Sequence, residues 1–137
     1  MLNATATEEV PLSADAVWKV IGDFDDIRKW APAVMATKSE QTPEGKVRTL
    51  TMPPDGKQVK ELMVKSSQYS YTYSVIGGAQ GNASTVSVVP IDGGKSRIEL
   101  HVEFQQLPGM NDEESVAART KFVRGNIKAM KKALGLA

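Results

Sequence analysis

The 137-residue chain has no cysteine and a single histidine, His101. Without cysteine there can be no disulfide, no thiol nucleophile and no thiolate metal site. With only one histidine besides, zinc chemistry lacks its ligands, so neither a metal nor a cofactor is expected. A chain without disulfides fits a reducing compartment, and a cytoplasmic location is the expectation. Excess charge of one sign is missing too. Seventeen Lys+Arg stand against sixteen Asp+Glu, a balance that argues against a nucleic-acid partner, whose affinity would come from cations neutralising phosphates. No long apolar run is present: the stretch 31–36, Ala-Pro-Ala-Val-Met-Ala, falls far short of the roughly 20 residues of a membrane span. Residues 1–12 carry Glu8 and Glu9 and no basic side chain, the reverse of a secretory signal. With no repeat, low-complexity tract or Pro/Ser-rich linker, the expectation is one domain over residues 1–137.

What is present is a clear order of periodicities. Residues 4–10 suit a strand that ends at Pro11. Ser13 then occupies an N-cap position, and Ala14, Val17, Trp18 and Ile21 recur at helical spacing until Gly22. Asp25 and Asp26 open a second short helical turn that Pro32 ends. From there the period is two. Segments 34–39, 47–52, 58–65, 69–76, 83–89 and 96–104 read as strands, separated by turn chemistry such as Pro53-Pro54-Asp55-Gly56 and Asp92-Gly93-Gly94. Short connections of this kind imply an antiparallel meander. The last strand puts Ile98, Leu100, Val102 and Phe104 opposite Arg97, Glu99, His101 and Glu103, one face dry and one wet. Asn111 and Glu114 then form a capping box, and Val116, Thr120, Val123, Ile127, Met130 and Leu134 trace one long amphipathic helix capped at Gly135. That helix is the element large enough to cover the dry face of the sheet.

The opening Ser13-Ala14-Asp15-Ala16-Val17-Trp18, followed by Gly22-Asp23-Phe24 and Trp30-Ala31-Pro32, resembles the polyketide cyclase/dehydrase and lipid-transport-like branch of the START/Bet v 1 superfamily. Asp55-Gly56, Glu61-Leu62, Tyr71-Thr72-Tyr73-Ser74-Val75 and the closing Asn126-Ile127 with Met130 follow in that family's order. Each motif is loose, but their joint order is specific and spans nearly the whole chain. The resemblance implies an α+β helix-grip fold: a seven-stranded antiparallel sheet wrapped around a long C-terminal helix, with two short helices after the first strand. It also implies a cavity between sheet and helix for a small hydrophobic or amphipathic molecule. Loops 52–56 and 76–81 match in position the two loops that close over the ligand in the plant abscisic-acid receptors, with glycines at 77, 78 and 81 to let the second one move.

Taking the Tyr73 face as inward, strand alternation nominates Tyr71, Val75, Val86, Val88, Ile98 and Leu100 as ligand-binding residues. The resemblance adds Lys60, which aligns with a cavity-facing Glu of relatives, and Leu62 beside it on the third strand of the meander. The helix supplies Phe122, Asn126 and Met130, and Trp30 stands near the mouth. Many relatives carry Glu-Arg-Leu where this chain has Lys60-Glu61-Leu62, and a Trp where it has Leu100. Two positions are open to Lys60: an ammonium among apolar walls, which would favour an acidic ligand, or a head kept in water. Glu61 is expected to point the opposite way, into solvent. Tyr73 is the phenol most suited to meet a ligand oxygen.

Other candidates reduce to ordinary roles. His101 sits on the polar face of its strand, Asp23, Asp25 and Asp26 suit helix caps, and Gly94-Lys95-Ser96 lacks the earlier glycine and the following helix of a phosphate loop. Arg119, Lys121, Arg124, Lys128, Lys131 and Lys132 complement the dipole of the last helix and keep its outer face soluble. The functional expectation is therefore a binding module for transport, sensing or sequestration, monomeric or weakly dimeric. The alternative is a cyclase, aromatase or dehydratase that works mainly by shaping its substrate in the same cavity. Two or more convergent polar groups in the cavity would favour the second, and a single one among apolar walls the first.

Overall fold

The structure, a computed structural model, describes residues 1–136. The chain runs β1 (Leu2–Val10), α1 (Ala14–Ile21), a 3-10 turn (Ile27–Lys29), β2 (Ala36–Thr42), β3 (Gly45–Met52), β4 (Lys57–Ser67), β5 (Ser70–Val75), β6 (Ala83–Ile91), β7 (Lys95–Phe104) and α2 (Asp112–Ala133). The strands form one antiparallel sheet in the order β1-β7-β6-β5-β4-β3-β2. This is the helix-grip architecture. The meander from β2 to β7 follows from the short turns, because each two- to seven-residue connection leaves a strand no option but to return beside its predecessor. β1 is the exception, pairing with the last strand from Leu2↔Phe104 to Val10↔Ser96.

Both helices are fixed by local chemistry. The Ser13 hydroxyl accepts from the Ala16 amide at 3.2 Å, and α1 buries Ala14, Val17 and Ile21. Gly22 stops it because the Trp18 indole lies where a side chain would go: a Cβ there would stand 2.2 Å from the ring. At α2 the capping box closes in both directions, Glu114 N–H to Asn111 Oδ1 at 2.8 Å and Asn111 N–H to Glu114 Oε1 at 3.0 Å. The far end is a Schellman turn: Gly135, with φ +79°, and Leu136 donate to Lys132 and Lys131 carbonyls. α2 sinks Val123, Ile127 and Met130 into the core that Ala6, Val10, Ile98 and Leu100 share from the sheet.

Several expectations are corrected. The first strand after the 3-10 turn begins at Ala36 and not at 34, because Val34 is drawn into the core and its carbonyl accepts from Arg28 Nε at 2.9 Å. In β4 the phase is the opposite of that expected. Glu61 pairs with Arg48 across the hairpin and both are buried on the concave side, while Lys60, paired with Thr49, is exposed on the outer face. Leu62 is likewise on the outer face, opposite Val47. A shift of one residue turns a strand over, and the run Val59, Leu62, Met63, Val64 offers apolar side chains to both faces. A register shift between Met63 and Lys65 further breaks the alternation. Phe122 and Val75, expected as cavity wall, are 57% and 44% exposed.

Candidate functional site

The concave face between β4–β7 and α2 holds a small, partly open void and a larger open cleft. The void, ≈30 Å³, is lined by Trp30, Arg48, Tyr71, Tyr73, Val86, Leu100, Asn126 and Met130 among others, and accommodates one water-sized group. The cleft, ≈580 Å³, opens between the β5–β6 loop, the segment following β7 and α2, with Glu61, Val75, Ala79, Leu107, Arg119 and Phe122 in its wall. Tyr73, Ser84, Val102 and Phe122 belong to both linings, so the void adjoins the cleft at its inner end. Val75 and Phe122 therefore stand at its mouth, and Val88 lies in the packed core without lining either space.

At the inner end sits a buried ion pair. Arg48 Nε donates to Glu61 Oε1 at 2.7 Å and Arg48 Nη1 to the Phe24 carbonyl at 3.2 Å. The guanidinium carbon lies 4.3 Å from the Phe24 ring centre, 4.9 Å from Tyr73 and 5.6 Å from Tyr71, an aromatic cage that suits a cation. Burial works against that charge, yet Tyr71, Glu61 and Tyr73 around it outweigh burial and raise the Arg48 pKa. Burial, seconded by the Glu61 charge, pushes the Tyr73 phenol well above its ordinary value, so it remains a neutral donor at physiological pH. Arg48 Nη2 and Trp30 Nε1, both on residues lining the void, are buried donors without a partner. Such groups are costly unless something polar meets them.

Sequence reasoning missed Arg48, Glu61 and Arg119 as site residues and nominated Lys60 instead. A signal was there. Four residues separate Met52 from Lys57, and counting outward from that turn sets Arg48 directly across from Glu61. The other candidates behave as ordinary structure. His101 Nδ1 meets Thr5 Oγ1 at 2.8 Å on the outer face of the sheet. Asp23 Oδ1 accepts from the Asp25 and Asp26 amides, and Asp23 and Asp25 pair with Lys29 and Lys46. No group of three or more His, Cys, Asp or Glu could hold a metal among the described residues, and no described helix is long and apolar enough to cross a membrane.

The family model for polyketide cyclase / dehydrase and lipid transport matches residues 1–135. The chain belongs to that family. No curated protein matches it significantly. Among solved structures, the protein XoxI from Bacillus cereus is 26% identical with a TM-score of 0.79, covering 98% of this chain and 96% of its own. A START superfamily protein from Mycobacterium smegmatis is 16% identical with a TM-score of 0.69, the alignment covering 96% of this chain and 93% of that one. Norcoclaurine synthase of Thalictrum flavum, a point mutant bound to a transition-state analogue, is 21% identical with a TM-score of 0.64, covering 96% and 90%. The last two establish the shared fold alone. For this member of the cyclase/dehydrase and lipid transport family, the fold places a cleft where the helix-grip architecture leaves sheet and helix apart.

Proposed function

We propose that the protein binds one small amphipathic molecule in the cleft between β5, β6, β7 and α2, with the apolar part of the ligand at the mouth and a polar part directed toward Tyr73 and the Arg48–Glu61 pair. One observation carries the reading: the cleft narrows onto a void whose lining holds two unpartnered buried donors, Trp30 Nε1 and Arg48 Nη2. The cleft volume of ≈580 Å³ falls within the roughly 300–1,000 Å³ of small-molecule sites. Native mass spectrometry of freshly purified protein tests this. A co-purifying molecule, lost when Tyr73→Trp blocks the passage from cleft to void, supports the reading; a chain that carries nothing and takes up no apolar probe overturns it.

A second reading is favoured by a specific feature. Arg48, Tyr73 and Asn126 line the inner end and Glu61 the adjoining cleft wall, which is more polar chemistry than a purely apolar carrier needs. In a cyclase or dehydratase of this family, a neutral phenol beside a guanidinium would polarise a carbonyl while the walls fold a flexible substrate. Turnover of a polyketide-like substrate that falls steeply in Tyr73→Phe, with substrate affinity retained, would establish the enzyme over the carrier.

A further inference from the structure

The ion-pair end of the cleft is electrically balanced, and the cleft wall is not. Ser74 donates to the Asn82 carbonyl, Asn82 Oδ1 accepts from the Gln105 amide, the Gln105 side chain donates to the Gln80 carbonyl, and Glu61 is paired with Arg48. These hydrogen bonds tie the β5–β6 loop to the segment after β7, and the Glu61 charge is met by Arg48. Arg119 is different. It projects from the start of the third turn of α2 into the same wall, and its guanidinium carbon lies 5.6 Å from the Phe104 ring centre and 5.9 Å from that of Phe122. Its Nε is buried without a partner, and no carboxylate pairs with it among the described residues. Two aromatic rings flank the guanidinium, which lessens the freedom lost when an anion meets it. Along α2, no acidic residue occurs from Ser115 to Leu134, so nothing on the helix competes for the charge.

We propose that Arg119 is the anion-recognising residue of the cleft and that the ligand is an amphipathic monocarboxylic acid with a further neutral polar group, its carboxylate held by the Arg119 fork, its apolar body laid against Phe122, Leu107 and Val75, and its other polar group directed toward Tyr73 and the Arg48–Glu61 pair. This rests on the binding reading above and names the ligand class. A planar carboxylate matches guanidinium geometry with two parallel hydrogen bonds, whereas a neutral alcohol or ester of the same chain length leaves the fork unpaired. The acid-selecting cation is thus on the helix, and Lys60, on the outer face of the sheet, takes no part.

Decanoate and decanol are suitable probes, measured by calorimetry with the full chain. Wild type should bind both, decanoate more tightly. Arg119→Met should weaken decanoate by about ten-fold or more and leave decanol unchanged, Arg119→Lys should lie between, and Lys121→Met on the exposed neighbouring position should change neither. Thermal melts confirm that the variants fold. In the unmodified protein, the Arg119 Nε–H resonance should move downfield on adding decanoate and not on adding decanol, a readout that needs no variant. Decanol and decanoate bound equally, or weakened equally by Arg119→Met, or an unmoved Nε–H signal at saturating decanoate, would remove Arg119 from recognition and leave the cleft a neutral apolar site. Failure of both probes to bind at all would instead overturn the binding reading and this proposal with it.

Discussion

Glu61 and Arg48 are cross-strand partners with 10% and 1% of their side chains exposed, so neither can lose the other without stranding a charge in the core. Removing one member of such a pair costs about 3–5 kcal/mol, whereas replacing both with apolar groups of similar size is often neutral. Glu61→Leu should therefore lower the urea midpoint sharply, and Arg48→Met combined with Glu61→Leu should recover most of it; a double variant no better than the single would mean that the loss comes from packing and not from a stranded charge. The tyrosines give a second residue-scale expectation. Burial raises the Tyr71 and Tyr73 pKa values above the ordinary 10.0. The folded state then holds protons that the unfolded chain releases, so their contribution is complete below pH 10 and is lost as pH rises through the folded values. Urea midpoints should be flat from pH 8 to about 10 and fall beyond it, with a shallower fall in Tyr73→Phe, while the 295 nm phenolate signal of Tyr71 and Tyr73 should appear only with unfolding.

At the scale of the element, the caps were legible because their chemistry is local. Ser13, Asn111 with Glu114, and Gly135 act within four residues of themselves, and no tertiary contact is needed to read them. Asn111→Ala should cost about 1 kcal/mol of stability, seen as a lowered melting temperature with the far-ultraviolet spectrum otherwise intact; an unchanged melt would mean that the turn after β7 holds the helix start unaided. Strand existence was legible from the period-two pattern and the turns. Strand phase was legible only where one face is wholly polar, as in β7, where Arg97, Glu99, His101 and Glu103 alternate with the core. In β4 the inward charge is a glutamate and the outward one a lysine, and composition alone cannot choose between them. The choice is made by Arg48, thirteen residues away, and by the register of the hairpin. Arg119 escaped notice for a related reason: among six cations on one helix, only its position against Phe104 and Phe122 distinguishes it.

At the scale of the whole molecule, sheet and helix depend on each other. β1 touches only β7 within the sheet, and α2 packs chiefly on β1, so the helix clamps the edge that the chain's first strand provides. A chain ended at Pro108 keeps all seven strands and loses the cover over Ala6, Val10, Ile98 and Leu100. It should show no cooperative thermal transition by circular dichroism and should bind apolar dyes; a sharp melt would mean that the sheet is stable unaided.

The pairing of Leu2 with Phe104 also sets a timetable. During synthesis β1 emerges first, but the strand that completes it and the helix that covers it emerge last. Until then its apolar side chains and one unpaired edge are open to other chains, the condition in which nascent proteins are most exposed to misassembly. The hairpins from β2 to β7 can form as they appear, each closing a short loop, whereas the contact that seals the fold spans about a hundred residues and must wait. The nascent chain therefore stays open to misassembly until α2 is free to pack on β1.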